Sequence, residues 1–240
     1  MVGTAHQFTS VSHLLALAVT ALLLAVLVPL ARWRPGTWLT VLCWALAAAL
    51  VGNEVAYQVV QAHRGTWSLA YSLPLFVCDV AAFVAAIGLV WPRAILVEIT
   101  WFWALAGTLQ GMLTPDHVIA FPSYDWSEYY GDHIGVILAA CLLVIGRRLH
   151  PRPGAAPRVI AITLAYFAAV GAVDWMTGGN YDYLRRPSPG SLLTVLGPWP
   201  WYLLGAAMVG FASIAVLDLP FWPERRRVRR RVAARAGRGG

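Results

Sequence analysis

The chain contains no lysine; all 18 basic residues are arginine, against 11 Asp and Glu. The uniform use of arginine reflects a high-GC coding sequence rather than a mechanism. Charge of either sign is scarce, at 12% of residues. A soluble domain carries about twice that share, so an ordinary soluble fold is excluded. Cysteine is scarce too: Cys43, Cys78 and Cys141 each lie inside an apolar stretch, at no metal-like spacing. That argues against a disulfide framework and against a thiolate metal centre. No metal and no cofactor is expected.

Hydrophobic residues make up 59% of the chain and the mean hydropathy is +0.64. With 240 residues, this describes one polytopic membrane domain. Apolar segments fall at about His13–Ala31, Trp38–Gln61, Tyr71–Trp91, Ala94–Leu113, Gly131–Arg147, Val159–Thr177 and Trp199–Leu219. The expectation is an all-α, seven-transmembrane-helix bundle over residues 1–222, followed by a basic, disordered tail over 223–240. The first segment has its arginines after the apolar run, the reverse of a secretory signal, so it reads as an uncleaved span.

Arginine counts orient the bundle. Arg32, Arg34, Arg93, Arg147, Arg148, Arg152, Arg158 and eight in the tail lie on one side; Arg64, Arg185 and Arg186 lie on the other. The positive-inside bias puts the amino terminus outside and the carboxyl terminus in the cytoplasm. Trp33, Trp38, Trp67, Trp91, Trp126, Trp175, Trp199 and Trp222 fall near span ends, as interfacial aromatics do. A multi-pass protein of the cell (plasma) membrane is expected. Its partners are membrane lipids, with anionic headgroups at the arginine-rich tail. The tail has no aromatic interleaving or fold signature for nucleic acid. The sequence leaves the oligomeric state open.

The third segment, Tyr71–Trp91, sets a thiol beside a carboxylate, Cys78 and Asp79, at membrane depth. A charge there costs a few kcal/mol, so it turns inward. Ala81, Ala82, Ala85, Ala86 and Gly88 suit an inner helix approached closely by its neighbours. Pro74 fits the first turn of that helix. In the second segment Glu54, Gln58 and Gln61 form a helical stripe, with Asn53 beside it. In the fourth, Gly107 and Gly111 have close-packing spacing, and Glu98 near Arg93 reads as an interfacial ion pair. Thr114–Tyr130 reads as an acidic loop; Asp132 and His133 then open the fifth segment, and Asp174 closes the sixth, followed by Asn180, Tyr181 and Asp182. At about 1.5 Å per residue, nearly all this polarity falls in one slab beneath the outer face. A polar pocket there is expected to include Glu54, Gln58, Asp79, Asp132, Asp174, Asn180 and Tyr181. Each has a plainer reading as interhelical glue, and Cys78 as an apolar filler.

Gly179-Asn180-Tyr181-x-Tyr183-Leu184, Pro187, Ser191-Leu192-Leu193 and Leu196-Gly197-Pro198-Trp199-Pro200-Trp201-Tyr202 resemble the hallmark block of YwaF-like bacterial integral membrane proteins. Those are related to the animal transmembrane protein 164 family. Leu73-Pro74-Leu75-x-x-Cys78, His133 and Glu54 fit as well. The resemblance implies a seven-helix fold and a phospholipid-linked acyltransferase using a Cys and a His, which carry over to Cys78 and His133. Phe76 departs from the pattern, where a polar residue is frequent.

That chemistry is simple to write. A thiol ionises about 1.5 units above neutrality and needs a base to become a nucleophile. His133 would be that base, oriented by Asp132, Asp79, Asp174 or Glu54, while Asn180 or Gln58 donates to the oxyanion. The alternative is non-enzymatic: a transporter or a small-ligand- or lipid-binding membrane protein with the slab as its binding site. No inverted repeat is detectable, which weighs mildly against a secondary transporter.

Overall fold

The computed structural model describes residues 10–115, 119–188 and 191–223. Among these the chain is helical, with no strand. The arginine-rich tail from residue 224, and Asp116 and His117, lie outside the described residues. The helices are α1 (Val11–Trp33), α2 (Thr37–His63), α3 (Val77–Val90), α4 (Ala94–Leu113), α5 (Tyr124–Gly146), α6 (Ala155–Thr177) and α7 (Trp201–Asp218). Helix α4 passes through a π-helical turn at Ala104–Thr108, and α5 ends in another at Leu142–Gly146. Six helices are long and apolar enough to cross a membrane; α3 is shorter.

Helix α3 begins six residues later than the hydropathy suggests. Tyr71–Phe76 is not helical, and Pro74 lies outside the helix rather than in its first turn. Fourteen residues rise only about 21 Å, short of an apolar layer about 30 Å thick. Helix α5 begins earlier than expected, at Tyr124, because the Ser123 hydroxyl caps it by accepting the Trp126 amide at 3.1 Å. Asp132 and His133 therefore sit in its third turn, not its first.

Helices α3 and α5 form the middle of the bundle. Ala81, Ala82, Ala85, Ala86, Gly88 and Leu89 of α3 are all buried, as an inner helix requires. Helix α5 packs on α1, α2, α3 and α4. At Gly135 it meets α2 so closely that a Cβ would lie 2.7 Å from Leu50 Cδ2. Helices α6 and α7 lie at the edge and expose most of their surface.

Candidate functional site

The non-helical run before α3 has backbone groups that no helix satisfies. Within an apolar layer each would cost several kcal/mol unless the protein supplied partners. It does so with residues from four elements. Gln58 of α2 donates to Ser72 O at 2.7 Å, and Tyr166 of α6 donates to Leu75 O at 2.6 Å. The Tyr181 hydroxyl accepts the Leu73 amide and donates to Leu69 O, each at 2.9 Å. Asp182 Oδ1 accepts the Val77 amide at 2.8 Å, and Asp79 Oδ2 turns back to accept the Phe76 amide at 3.0 Å. Phe76 is the N-cap residue but has no acceptor in its side chain, so Asp182 from a distant loop takes that role.

Cys78 stands in the first turn of α3, where the helix dipole favours negative charge. Its Sγ donates to Asp79 Oδ1 at 3.5 Å. The amides of Cys78 and Asp79 make no hydrogen bond among the described residues. Asp79, Asp132 and Asp182 lie within electrostatic range of the thiol, and Glu54 lies within range of Asp79 and Asp132. Glu54 and Asp132 each stand about one turn from the Leu50–Gly135 contact, toward the same end of two antiparallel helices, which puts them level. Both are 4% exposed, and neither carboxylate has a hydrogen-bond or ion-pair partner among the described residues.

His133 occupies the next face of α5. Its Nδ1 meets Tyr129 O at 2.7 Å, and its ring stacks on Tyr129 with centroids 4.1 Å apart. A carbonyl only accepts, so Nδ1 carries the proton and Nε2 is the free nitrogen of the neutral ring. A backbone carbonyl, not one of the four carboxylates considered from sequence, orients the ring. Nε2 faces α4, where a Cβ on Gly111 would lie 3.2 Å from it. No hydrogen bond joins Cys78 to His133.

The remaining expected pocket residues organise the connection between α6 and α7. Asp174 Oδ1 accepts the Tyr181 amide at 2.9 Å. Asn180 Oδ1 accepts the amides of Arg185 and Arg186, and its Nδ2 donates to Arg186 O at 2.9 Å. The side-chain amides of Gln58 and Asn180 are thus both committed to carbonyls, whereas the two open amides belong to Cys78 and Asp79. Gln110 bonds only within its own helix end, to Thr114. Glu98 pairs with Arg152 at 2.8 Å and Arg158 at 2.6 Å rather than with Arg93, which lies over the Trp91 ring.

Two residues that hold the run before α3 escape a reading by segment. Asp182 sits in a connection and Tyr166 in an otherwise plain helix. The one available signal was that Asp182 follows Asp174, Asn180 and Tyr181 at the same depth.

The TMEM164 family model matches residues 7–218 of the chain. No curated protein and no solved structure matches it. Among the described residues no group of His, Cys, Asp and Glu has a metal-holding arrangement.

Proposed function

We propose that this chain, which belongs to the TMEM164 family, is a membrane-embedded lipid acyltransferase that carries its acyl group on Cys78. Multiple apolar helices make it a multi-pass membrane protein; we place it in the plasma membrane with the arginine-rich face to the cytoplasm. The observation that carries the reading is the first turn of α3. There a thiol, a carboxylate accepting its hydrogen and two unbonded amides occur together.

In the first half-reaction the Cys78 sulfur attacks an ester carbonyl of a phospholipid. Asp79 takes the thiol proton, and the amides of Cys78 and Asp79 donate to the oxyanion. The ester C–O bond breaks, the lysolipid oxygen leaves with that proton, and the thioester remains. In the second half-reaction an acceptor hydroxyl attacks the thioester, and His133 Nε2 takes its proton. The C–S bond breaks, the new ester forms, and the proton returns to sulfur. His133 therefore acts on the acceptor, because Asp79 already holds the thiol.

A second reading rests on Glu54 and Asp132, whose buried carboxylates have no hydrogen-bond or ion-pair partner among the described residues. They suit a passive site for a cationic group, with no covalent step. Incubation of the purified protein with acyl-labelled phospholipid separates the two. The enzyme acquires a hydroxylamine-sensitive label that Cys78→Ala abolishes, while Cys43→Ala and Cys141→Ala retain it. A passive binder acquires no label at all.

A further inference from the structure

The opposite face of the bundle carries a second concentration of charge, outside the site just described. Arg32 lies in the last turn of α1, and Arg147 and Arg148 follow directly after α5. The three line a cavity of about 450 Å³, over Ala31, Leu39 and Gly146.

The guanidinium groups are brought together by a close helix approach. Gly146 packs so tightly on α1 that a Cβ there would come 3.0 Å from Ala31 Cβ. Arg32 Nη1 is anchored on Ile145 O at 3.1 Å, and Arg147 Nη1 on Leu89 O at 3.3 Å. Arg148 is held at φ 57°, a left-handed conformation that an L residue with a long side chain adopts at a cost. Its side chain makes no hydrogen bond or ion pair among the described residues.

Among the described residues no protein anion balances these three charges. Two carboxylates on this face are described, and both are committed elsewhere. Glu98 is bonded to Arg152 and Arg158, and Asp218 accepts the Trp222 indole at 2.9 Å. Helix ends expose negative carbonyls, and two anchored arginines would be enough to cap them. The third charge and the open volume exceed what capping needs.

We infer that this cavity binds the phosphodiester of an anionic phospholipid head group. Basic cavities between helices at a membrane face are suited to such groups, and guanidinium forks match phosphate oxygens. The surroundings favour a lipid over a free anion. Leu30, Trp33 and Ile145, each next in sequence to a lining residue, are exposed large apolar side chains along which acyl chains would lie. The site differs from the arginine-rich tail, which lies outside the described residues and needs no cavity.

The full chain in neutral detergent is titrated with phosphatidylglycerol, phosphatidylcholine or inorganic phosphate, and adducts are counted by native mass spectrometry. One saturable phosphatidylglycerol adduct is expected, with phosphatidylcholine weaker by at least tenfold and millimolar phosphate failing to displace the lipid. Arg148→Gln weakens the adduct about fivefold and Arg147→Gln/Arg148→Gln about 25-fold, from the worth of each charge near a lipid surface. The Arg148 side chain supports no other described residue, so its single variant reads binding without a folding defect. A variant with the tail arginines changed to Gln keeps the adduct. Equal binding of the two lipids, full displacement by phosphate, an unaltered Arg148→Gln variant, or loss of the adduct only with the tail would each overturn the assignment.

Discussion

Asp182 accepts the Val77 amide at 2.8 Å across 105 residues of sequence, so the connection between α6 and α7 caps the helix that carries Cys78. Burial pushes the Asp182 carboxyl up, to about 7. A carboxyl whose folded value lies above its unfolded value favours the folded state when protonated. Its contribution is complete below the unfolded value near 3.9 and is lost as pH rises toward about 7. Asp182→Asn keeps the acceptor but cannot ionise. The measured melting temperature of that variant should vary less between pH 4 and pH 7 than the parent's. Asp182→Ala should lose about 1 kcal/mol as a lost cap. An unchanged pH profile in the Asn variant would remove Asp182 as the source.

The depth argument found most of the polar residues but not what they do. Gln58, Asp79 and Tyr181 were legible because polar side chains are rare in such apolar segments. Their main task, satisfying the backbone of Tyr71–Phe76, was not legible. Hydropathy counts side chains and does not register that Pro74 and its neighbours leave the helix. The early start of α5 was hidden for a related reason. Tyr124–Tyr130 is polar and acidic, and reads as a loop until Ser123 is recognised as its cap. Glu54 and Asp132 come within electrostatic range through the Leu50–Gly135 contact, which fixes the rotation of two helices. A single sequence carries no measure of that rotation.

Glu98 is a buried anchor at the other face. It is 1% exposed at the side chain, while Arg152 and Arg158 are partly in solvent at 49% and 37%. An exposed pair is worth about 0–1 kcal/mol, and breaking a fully buried one costs roughly 3–5. Glu98→Gln should fall between, near 2 kcal/mol. At about 2–4 °C per kcal/mol for a chain this size, the melting temperature should drop several degrees. Acyl labelling of the folded variant should be unaffected, since the anchor lies away from Cys78. A labelling defect at full folding would contradict that separation.

Gly111 leaves the space that His133 uses. A Cβ there would stand 3.2 Å from His133 Nε2 and 3.7 Å from the Tyr129 hydroxyl. The ring cannot simply retreat, because it is stacked on Tyr129 and bonded to Tyr129 O. Gly111→Ala should therefore move Nε2 by a few tenths of an ångström. Deacylation should slow roughly tenfold, short of the about 10²-fold attached to a 1 Å misplacement. Thermal stability should hardly change. Comparison of single-turnover deacylation rates checks this, and an unaltered rate would show that Nε2 has no role in that step.

Asp79 and His133 are assigned to different half-reactions, and their variants should fail differently. Asp79→Asn preserves an oxygen to accept the Phe76 amide, so the first turn of α3 stays formed. The amide cannot take the thiol proton. Thioester formation should slow by about 10²–10⁴-fold, the usual worth of a positioned base. His133→Ala leaves the thiol and Asp79 in contact. The label should then form at near the parent rate and persist, because the acceptor hydroxyl has lost its base. A time course of label on Cys78, with and without a lysolipid acceptor, reads both steps. If His133→Ala prevents labelling while Asp79→Asn labels normally, the thiol proton goes to His133. The pair absent from this structure would then have to form during the reaction.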